Sequence, residues 1–249
     1  MTVLRAGAVF AVSVGAGMAV TAARADDEEA LRRFLYFSDA HVAFNQQYST
    51  YGTRFAPLSS IDETGPIVSI TFSSGKFRYR KKMRAPIGRR PRKKLIRTVD
   101  FGGGLAAGYQ LVKPRYGVAL LVGGLADYRL LMRRDPTNDD TGFRPALAVM
   151  AEGWAKPIPN LLVTAYAEAK TRHHATYGKL FAGLEVDEEV FVGPEIGFSR
   201  DDYGTERFTG FGFLGVKTGP FRVKATFGVV DDGSRKNANY LSVVAWRRF

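Results

Sequence analysis

Four glutamates recur inside apolar stretches of the second half of the chain: Glu152, Glu168, Glu185 and Glu195. Side chains two apart on a strand share a face. On that spacing Arg144, Met150, Glu152 and Trp154 oppose Leu147 and Val149, while Thr164, Tyr166, Glu168 and Lys170 oppose Leu161, Val163, Ala165, Ala167 and Ala169. Lys179 and Glu185 oppose Leu180, Ala182, Leu184 and Val186; Glu195 opposes Val192, Ile196 and Phe198; Arg222 and Lys224 oppose Phe221, Val223, Ala225, Phe227 and Val229. Carboxylates and cations on one set of faces can pair as fixed ions, line a wet passage that selects by charge, or act as acid and base. Buried charges must be paired or hydrated. Side chains that fill and stiffen a narrow interior are the plainest outcome.

Catalysis needs more than a carboxylate. His173 and His174 follow the segment that carries Glu168, and a histidine beside a carboxylate is one start toward an acyl-chain hydrolase or transferase. A nucleophile, a base and an orienting group must also meet in space, which spacing alone does not establish. The chain has no Gly-x-Ser-x-Gly, His-Glu-x-x-His or phosphate-cradling motif. It has no cysteine, which excludes thiolate catalysis and cysteine-ligated metal. The expectation is therefore no catalytic set, no metal and no cofactor, with His41 a satisfied interior group.

The formal net charge of +12 is concentrated in one place. Residues 78–97 hold eleven bases and no acid: Arg78, Arg80, Lys81, Lys82, Arg84, Arg89, Arg90, Arg92, Lys93, Lys94 and Arg97. Pro86, Gly88 and Pro91 argue against a helix, and self-repulsion argues for an extended loop. Such a loop suits phosphates or acidic polysaccharide. A neutral glucan would gain nothing from it.

These residues must be positioned by strands. Alternation predicts about twelve: 34–45, 50–59, 67–79, 99–112, 116–131, 143–155, 161–170, 178–186, 190–199, 207–217, 221–229 and 240–249. The connections alternate in length. Terse ones are Lys113-Pro114-Arg115, 156–160, Asp187-Glu188-Glu189 and Thr218-Gly219-Pro220; long polar ones run 133–141, 171–176, 200–206 and 231–239. Outer-membrane barrels have this asymmetry, with short periplasmic turns and longer external loops. The face made by Gly102, Gly104, Ala106 and Gly108 is very small, and Tyr116, Tyr128, Phe143, Phe191, Phe221 and Trp246 are placed for interfacial girdles.

The N-terminus agrees. Arg5, an apolar run from Ala6 to Val20 and Ala23-Arg24-Ala25 before an acidic stretch describe a secretory signal peptide, cut after Ala25. The expectation is a signal peptide over 1–25 and one domain over 26–249: an all-β, antiparallel up-and-down outer-membrane β-barrel with a basic loop at 78–97. Its partners would be outer-membrane lipids and lipopolysaccharide. Nucleic acid is excluded by export. A soluble periplasmic β-sandwich is the competing fold.

Several stretches resemble the cellulose biosynthesis protein BcsS family: Leu35-Tyr36-Phe37-Ser38-Asp39-Ala40; Asp127-Tyr128-Arg129-Leu130 with Asp135-Pro136-Thr137-Asn138; Gly153-Trp154-Ala155-Lys156-Pro157-Ile158-Pro159; Val192-Gly193-Pro194-Glu195-Ile196; and Asp201-Asp202-Tyr203 leading to Phe208. They cover nearly the whole mature chain in order. The basic insertion and the tail Trp246-Arg247-Arg248-Phe249 depart from the pattern. The resemblance implies a non-catalytic accessory role beside cellulose or related exopolysaccharide synthesis or export, with the synthase export machinery or the polysaccharide as partner, and it carries over no catalytic residue. The alternatives are a small pore unrelated to cellulose and a barrel enzyme acting on lipid A.

Overall fold

The computed structural model describes residues 33–43, 46–83, 92–131, 141–187, 189–201, 204–218, 221–231 and 238–248. The signal-peptide expectation and Arg84, Arg89 and Arg90 lie outside them, as do most of 133–141 and 231–239.

Twelve strands form: β1 (Phe34–Ala43), β2 (Gln46–Phe55), β3 (Gly65–Met83), β4 (Arg92–Lys113), β5 (Tyr116–Leu131), β6 (Gly142–Ile158), β7 (Leu161–Lys170), β8 (Thr176–Asp187), β9 (Val190–Asp201), β10 (Gly204–Thr218), β11 (Phe221–Asp231) and β12 (Ala238–Arg248). Each pairs antiparallel with the next, and β12 returns to β1 from Ala43↔Tyr240 to Leu35↔Arg248, closing the barrel. Closure leaves no edge strand and satisfies the backbone internally, the condition for strands that cross hydrocarbon.

Exposure fixes which face points where. Along β5, Val118, Leu120, Val122, Tyr128 and Leu130 are exposed, while Ala119 and Leu121 are buried. Phe72, Leu105, Phe143, Leu147, Leu184 and Phe227 continue the exposed apolar belt on other strands, with Phe143 67% exposed. A belt this large marks a lipid-facing surface rather than a soluble one. The ionic faces of β6 to β11 point inward, and so does the small face of β4.

Four expectations need correction. The basic segment is largely strand: β3 and β4 pair through Lys81↔Lys94 and Lys82↔Lys93 to Met83↔Arg92. Pro86, Gly88 and Pro91 all fall within 84–91, so nothing in the flanks interrupts the ladder. The polar run 200–206 is no long loop either, because Asp201 pairs with Gly204. Its polar residues read as loop although they continue paired strands. The second strand both begins and ends four residues earlier than its alternation suggests, at Gln46–Phe55 instead of 50–59, because both of its faces carry polar side chains. Phe191 and Trp246 point inward rather than into a girdle, since Phe191 shares parity with Glu195 and Trp246 packs against Phe181, Phe191 and Leu214.

The connection 56–64 joins β2 to β3 at the end that carries the two-residue turns Pro114-Arg115 and Pro159-Asn160. It breaks the short-turn rule and packs inward, as described below. In β10 a bulge lies between Leu214 and Val216. Gly215 sits there at φ +96°, where a Cβ would lie 2.0 Å from the Glu189 carbonyl oxygen, so only glycine fits.

Candidate functional site: a layered lumen

From the turn end upward, inward side chains line the lumen in layers. At the turn end, Ala56 and Ile61 of the β2–β3 connection join Ile67, Ala106, Ala119 and Leu121, with Leu35 and Met150 against them. Gln110 pins the segment, its Nε2 donating to the carbonyls of Ile61 (2.9 Å) and Glu63 (2.6 Å). The Thr64 hydroxyl donates to the Val112 carbonyl (3.1 Å) and accepts from the Val112 amide (2.9 Å). Within the segment, the Glu63 amide donates to the Ser60 carbonyl and the Ser60 amide to the Glu63 carboxylate. Across the barrel, Phe181, Phe191 and Leu214 pack with Leu162 and Trp246.

Above these apolar clusters lies a charged layer. Arg54 of β2 reaches Glu152 of β6 through both guanidinium ends, Nη2 to Oε2 at 3.0 Å. Such two-pronged pairing is the strongest form of the arginine–carboxylate contact. Glu195, 1% exposed, forms an ion pair with Lys224 through one oxygen and lies 3.5 Å from Lys179 Nζ on the other. The Lys224 ammonium also sits 4.7 Å over the Phe181 ring. Lys179 in turn hydrogen-bonds Tyr177, and Asp39 hydrogen-bonds Ser242.

An aromatic layer follows. His41 stacks on Tyr240 at 5.4 Å and meets Phe208 edge-on at 5.8 Å. Tyr177 contacts Phe208 at 6.0 Å and Tyr166 at 5.9 Å. Toward the loop end come further ions: Glu168–Lys170 at 3.2 Å, Asp100–Arg129 at 2.6 Å, Asp127–Arg172 at 3.5 Å and a Gln46–Glu206 hydrogen bond of 2.8 Å.

The positions singled out in the sequence thus sort into groups. Glu152 is joined with Arg54, Glu168 with Lys170, and Glu195 with Lys179 and Lys224. Glu185 accepts the Glu189 amide at the turn end, and Arg222 pairs with Glu189 at the rim, where both side chains are more than a third exposed. Arg80, Lys81 and Lys82 stand on β3, and Arg92, Lys93 and Lys94 on β4. Alternation alone missed Arg54, Asp100, Arg129 and Tyr240. The hairpin register would have found Arg54, which lies opposite inward-facing Leu35.

Glu168 is held by Lys170, and Asp39 bonds Ser242 while the Nε2 of His41 has no protein partner, so no nucleophile–base pair runs through that nitrogen. Among the described residues no group of three or more His, Asp or Glu could hold a metal.

Residues 35–249 match the family model of cellulose biosynthesis protein BcsS. The chain belongs to the BcsS family. This BcsS-family chain matches no curated protein. Its fold is similar to the translocator domain of autotransporter NalP from Neisseria meningitidis, with 10% identity, 99% of this chain and 96% of that chain covered, and a TM-score of 0.52. It is also similar to the KdgM porin in complex with disordered oligogalacturonate, with 8% identity, 86% and 99% covered, and a TM-score of 0.50. These likenesses establish the architecture, a barrel of the outer-membrane type, and the family match associates this BcsS-family protein with cellulose biosynthesis.

Proposed function

We propose that this protein is a non-catalytic accessory of cellulose or related exopolysaccharide production, exported by an N-terminal signal and inserted in the bacterial outer membrane, and that it does not carry the polymer through its lumen. The observation that carries this reading is the filled interior. Two apolar clusters occupy the turn end, and paired ions and stacked rings occupy the centre. A glucan strand would have to displace all of them. Family membership supports the link to cellulose, and the pairing of Glu168 with Lys170 supports a scaffold over a catalyst.

The strands carrying Arg80, Lys81, Lys82, Arg92, Lys93 and Lys94 rise beyond the belt on the loop side, which faces the exterior when the short turns face the periplasm. We assign this basic hairpin to the phosphates of lipopolysaccharide. Replacing Lys81, Lys82, Lys93 and Lys94 with Gln should weaken binding to lipopolysaccharide micelles and flatten its salt dependence. Unchanged binding would remove the assignment.

The functional test is a deletion strain of a cellulose-producing host, scored by Congo-red staining and by glucose released with cellulase. Staining should fall and should return fully with a Glu168→Gln/His173→Ala copy. Unchanged cellulose in the deletion strain overturns the accessory role. Failure of that copy alone to restore it, with normal barrel folding, points instead to the enzyme reading, which changed lipid A masses would identify.

A further inference from the structure

Above its apolar floor the lumen is packed unevenly. On the β8–β12 wall the inward Phe208, Thr226, Tyr240 and Ser242 are buried, and the His41 ring stacks on Tyr240. On the β2–β7 wall the inward residues of the loop half are partly exposed instead: Tyr48 and Thr50 on β2, Thr71 and Ser73 on β3, and Tyr166 on β7. Glu152 and Asp127 also point inward, yet their side chains are 31% and 32% exposed. Solvent therefore reaches down one side of the barrel as far as the Arg54–Glu152 pair. That pair lies above the cluster that holds Ile67, Leu121 and Met150.

The lining of this cleft selects what it can hold. One wall is small and bears hydroxyls: a Cβ on Gly104 would lie 3.1 Å from Thr71 Oγ1, and one on Gly102 2.8 Å from Ser73 Oγ. Tyr48 shares a face with Arg54, and Tyr166 sits beside Glu152 in the β6–β7 register, so a phenol flanks the cleft on each side. At its base Glu152 and Arg54 engage each other through both ends, and Glu168 is paired with Lys170. Across the lumen Asp39 and Glu195 face Lys179 and Lys224. An anion would have to take a base from its carboxylate, a cation would have to take a carboxylate from its base, and an apolar ligand would strand hydroxyls and ions. A neutral polyol meets none of these penalties. Its hydroxyls both donate and accept, matching those of serine, threonine and tyrosine and the remaining lone pairs of the paired carboxylates. The C–H face of a pyranose ring packs on a tyrosine ring.

We infer that this cleft is a binding site for a short stretch of neutral glucan presented from outside the cell, with Tyr48 and Tyr166 as its platforms and the Arg54–Glu152 pair as its base. The apolar cluster beneath that pair stops the sugar there, so the site takes a chain end and not a strand in transit. The inference deepens the accessory reading and rests on it for the identity of the polymer and for the side of entry.

The test titrates the full-length protein, purified from membranes in detergent, with cellotetraose and with tetragalacturonate in a calorimeter, with heat-modifiable mobility reporting folding. Cellotetraose should bind saturably and tetragalacturonate should not. Tyr166→Ala should weaken cellotetraose binding about tenfold. Tyr48→Ala should do the same, and either variant suffices where the other does not fold. Glu152→Gln leaves Arg54 without its counter-charge and should let tetragalacturonate bind, a gain that a merely structural Glu152 would not give. The chain has no native cysteine, so Thr71→Cys reports the cleft directly. On intact cells a membrane-impermeant maleimide should label it, and cellotetraose should slow the labelling. A folded unaltered barrel that takes up no cellotetraose, or that binds tetragalacturonate equally well, overturns the inference. So does an affinity that survives the tyrosine replacements, or a Thr71→Cys that resists labelling from outside. Lost cellulose in the deletion strain without cellotetraose binding removes this site and leaves the accessory role standing; binding with unchanged cellulose does the reverse.

Discussion

At the scale of single residues, the interior charges differ in worth according to how far they are from water. Glu195 is nearly inaccessible and balances two lysines from different strands. Its removal leaves Lys179 and Lys224 facing each other across a space with little water. Breaking a buried pair from one side costs about 3–5 kcal/mol. Glu195→Ala should therefore lower the urea midpoint of the refolded barrel markedly. Arg222→Ala should cost no more than about 1 kcal/mol, because both it and Glu189 are well exposed at the rim. Equal midpoints for the two variants would show that the Glu195 cluster contributes nothing special. Glu195, Lys179 and Lys224 were legible in the sequence because each interrupts a clean apolar alternation. Arg54 was not legible: its neighbours Thr53 and Phe55 set up no contrast, and only pairing with β1 reveals its direction.

At the scale of strands, the inward glycines of β4 record how closely neighbouring backbones pass. A Cβ on Gly108 would sit 1.9 Å from the Leu120 carbonyl oxygen and 2.7 Å from the Leu121 Cα. Relieving that overlap means parting β4 from β5. Gly108→Ala should therefore appear as an unfolded, heat-insensitive band after refolding. Gly124→Ala, which meets nothing within 4 Å, should fold normally and gain roughly 0.5–1 kcal/mol from the lost freedom of glycine. Normal folding of Gly108→Ala would contradict the tight β4–β5 approach. Strand bounds followed the sequence wherever one face was greasy and the other polar: Leu161–Lys170 and Tyr116–Leu131 match to the residue. They drifted where that contrast fades, at the polar β2 and along the basic ends of β3 and β4. There the pairing is carried by backbone hydrogen bonds, which leave no mark on composition.

At the scale of the whole molecule, twelve strands and their closure could be counted from the sequence, but the contents of the lumen could not, because they depend on which residues meet across it. The inward turn of 56–64 is the clearest case, since its first four residues read as the end of a strand and its burial of Ala56 and Ile61 leaves no periodic mark. Purified protein should give no steady conductance in planar bilayers. Combining Ile61→Asp with Gln110→Ala, which removes both the apolar contact and the two carbonyl anchors, should produce discrete openings. Stable conductance from the unaltered barrel would refute this. A vessel stoppered from beneath has a single doorway. On the proposed function and orientation, whatever this protein handles enters and departs from the cell exterior, so its business concerns material already outside the bacterium rather than traffic on its way there.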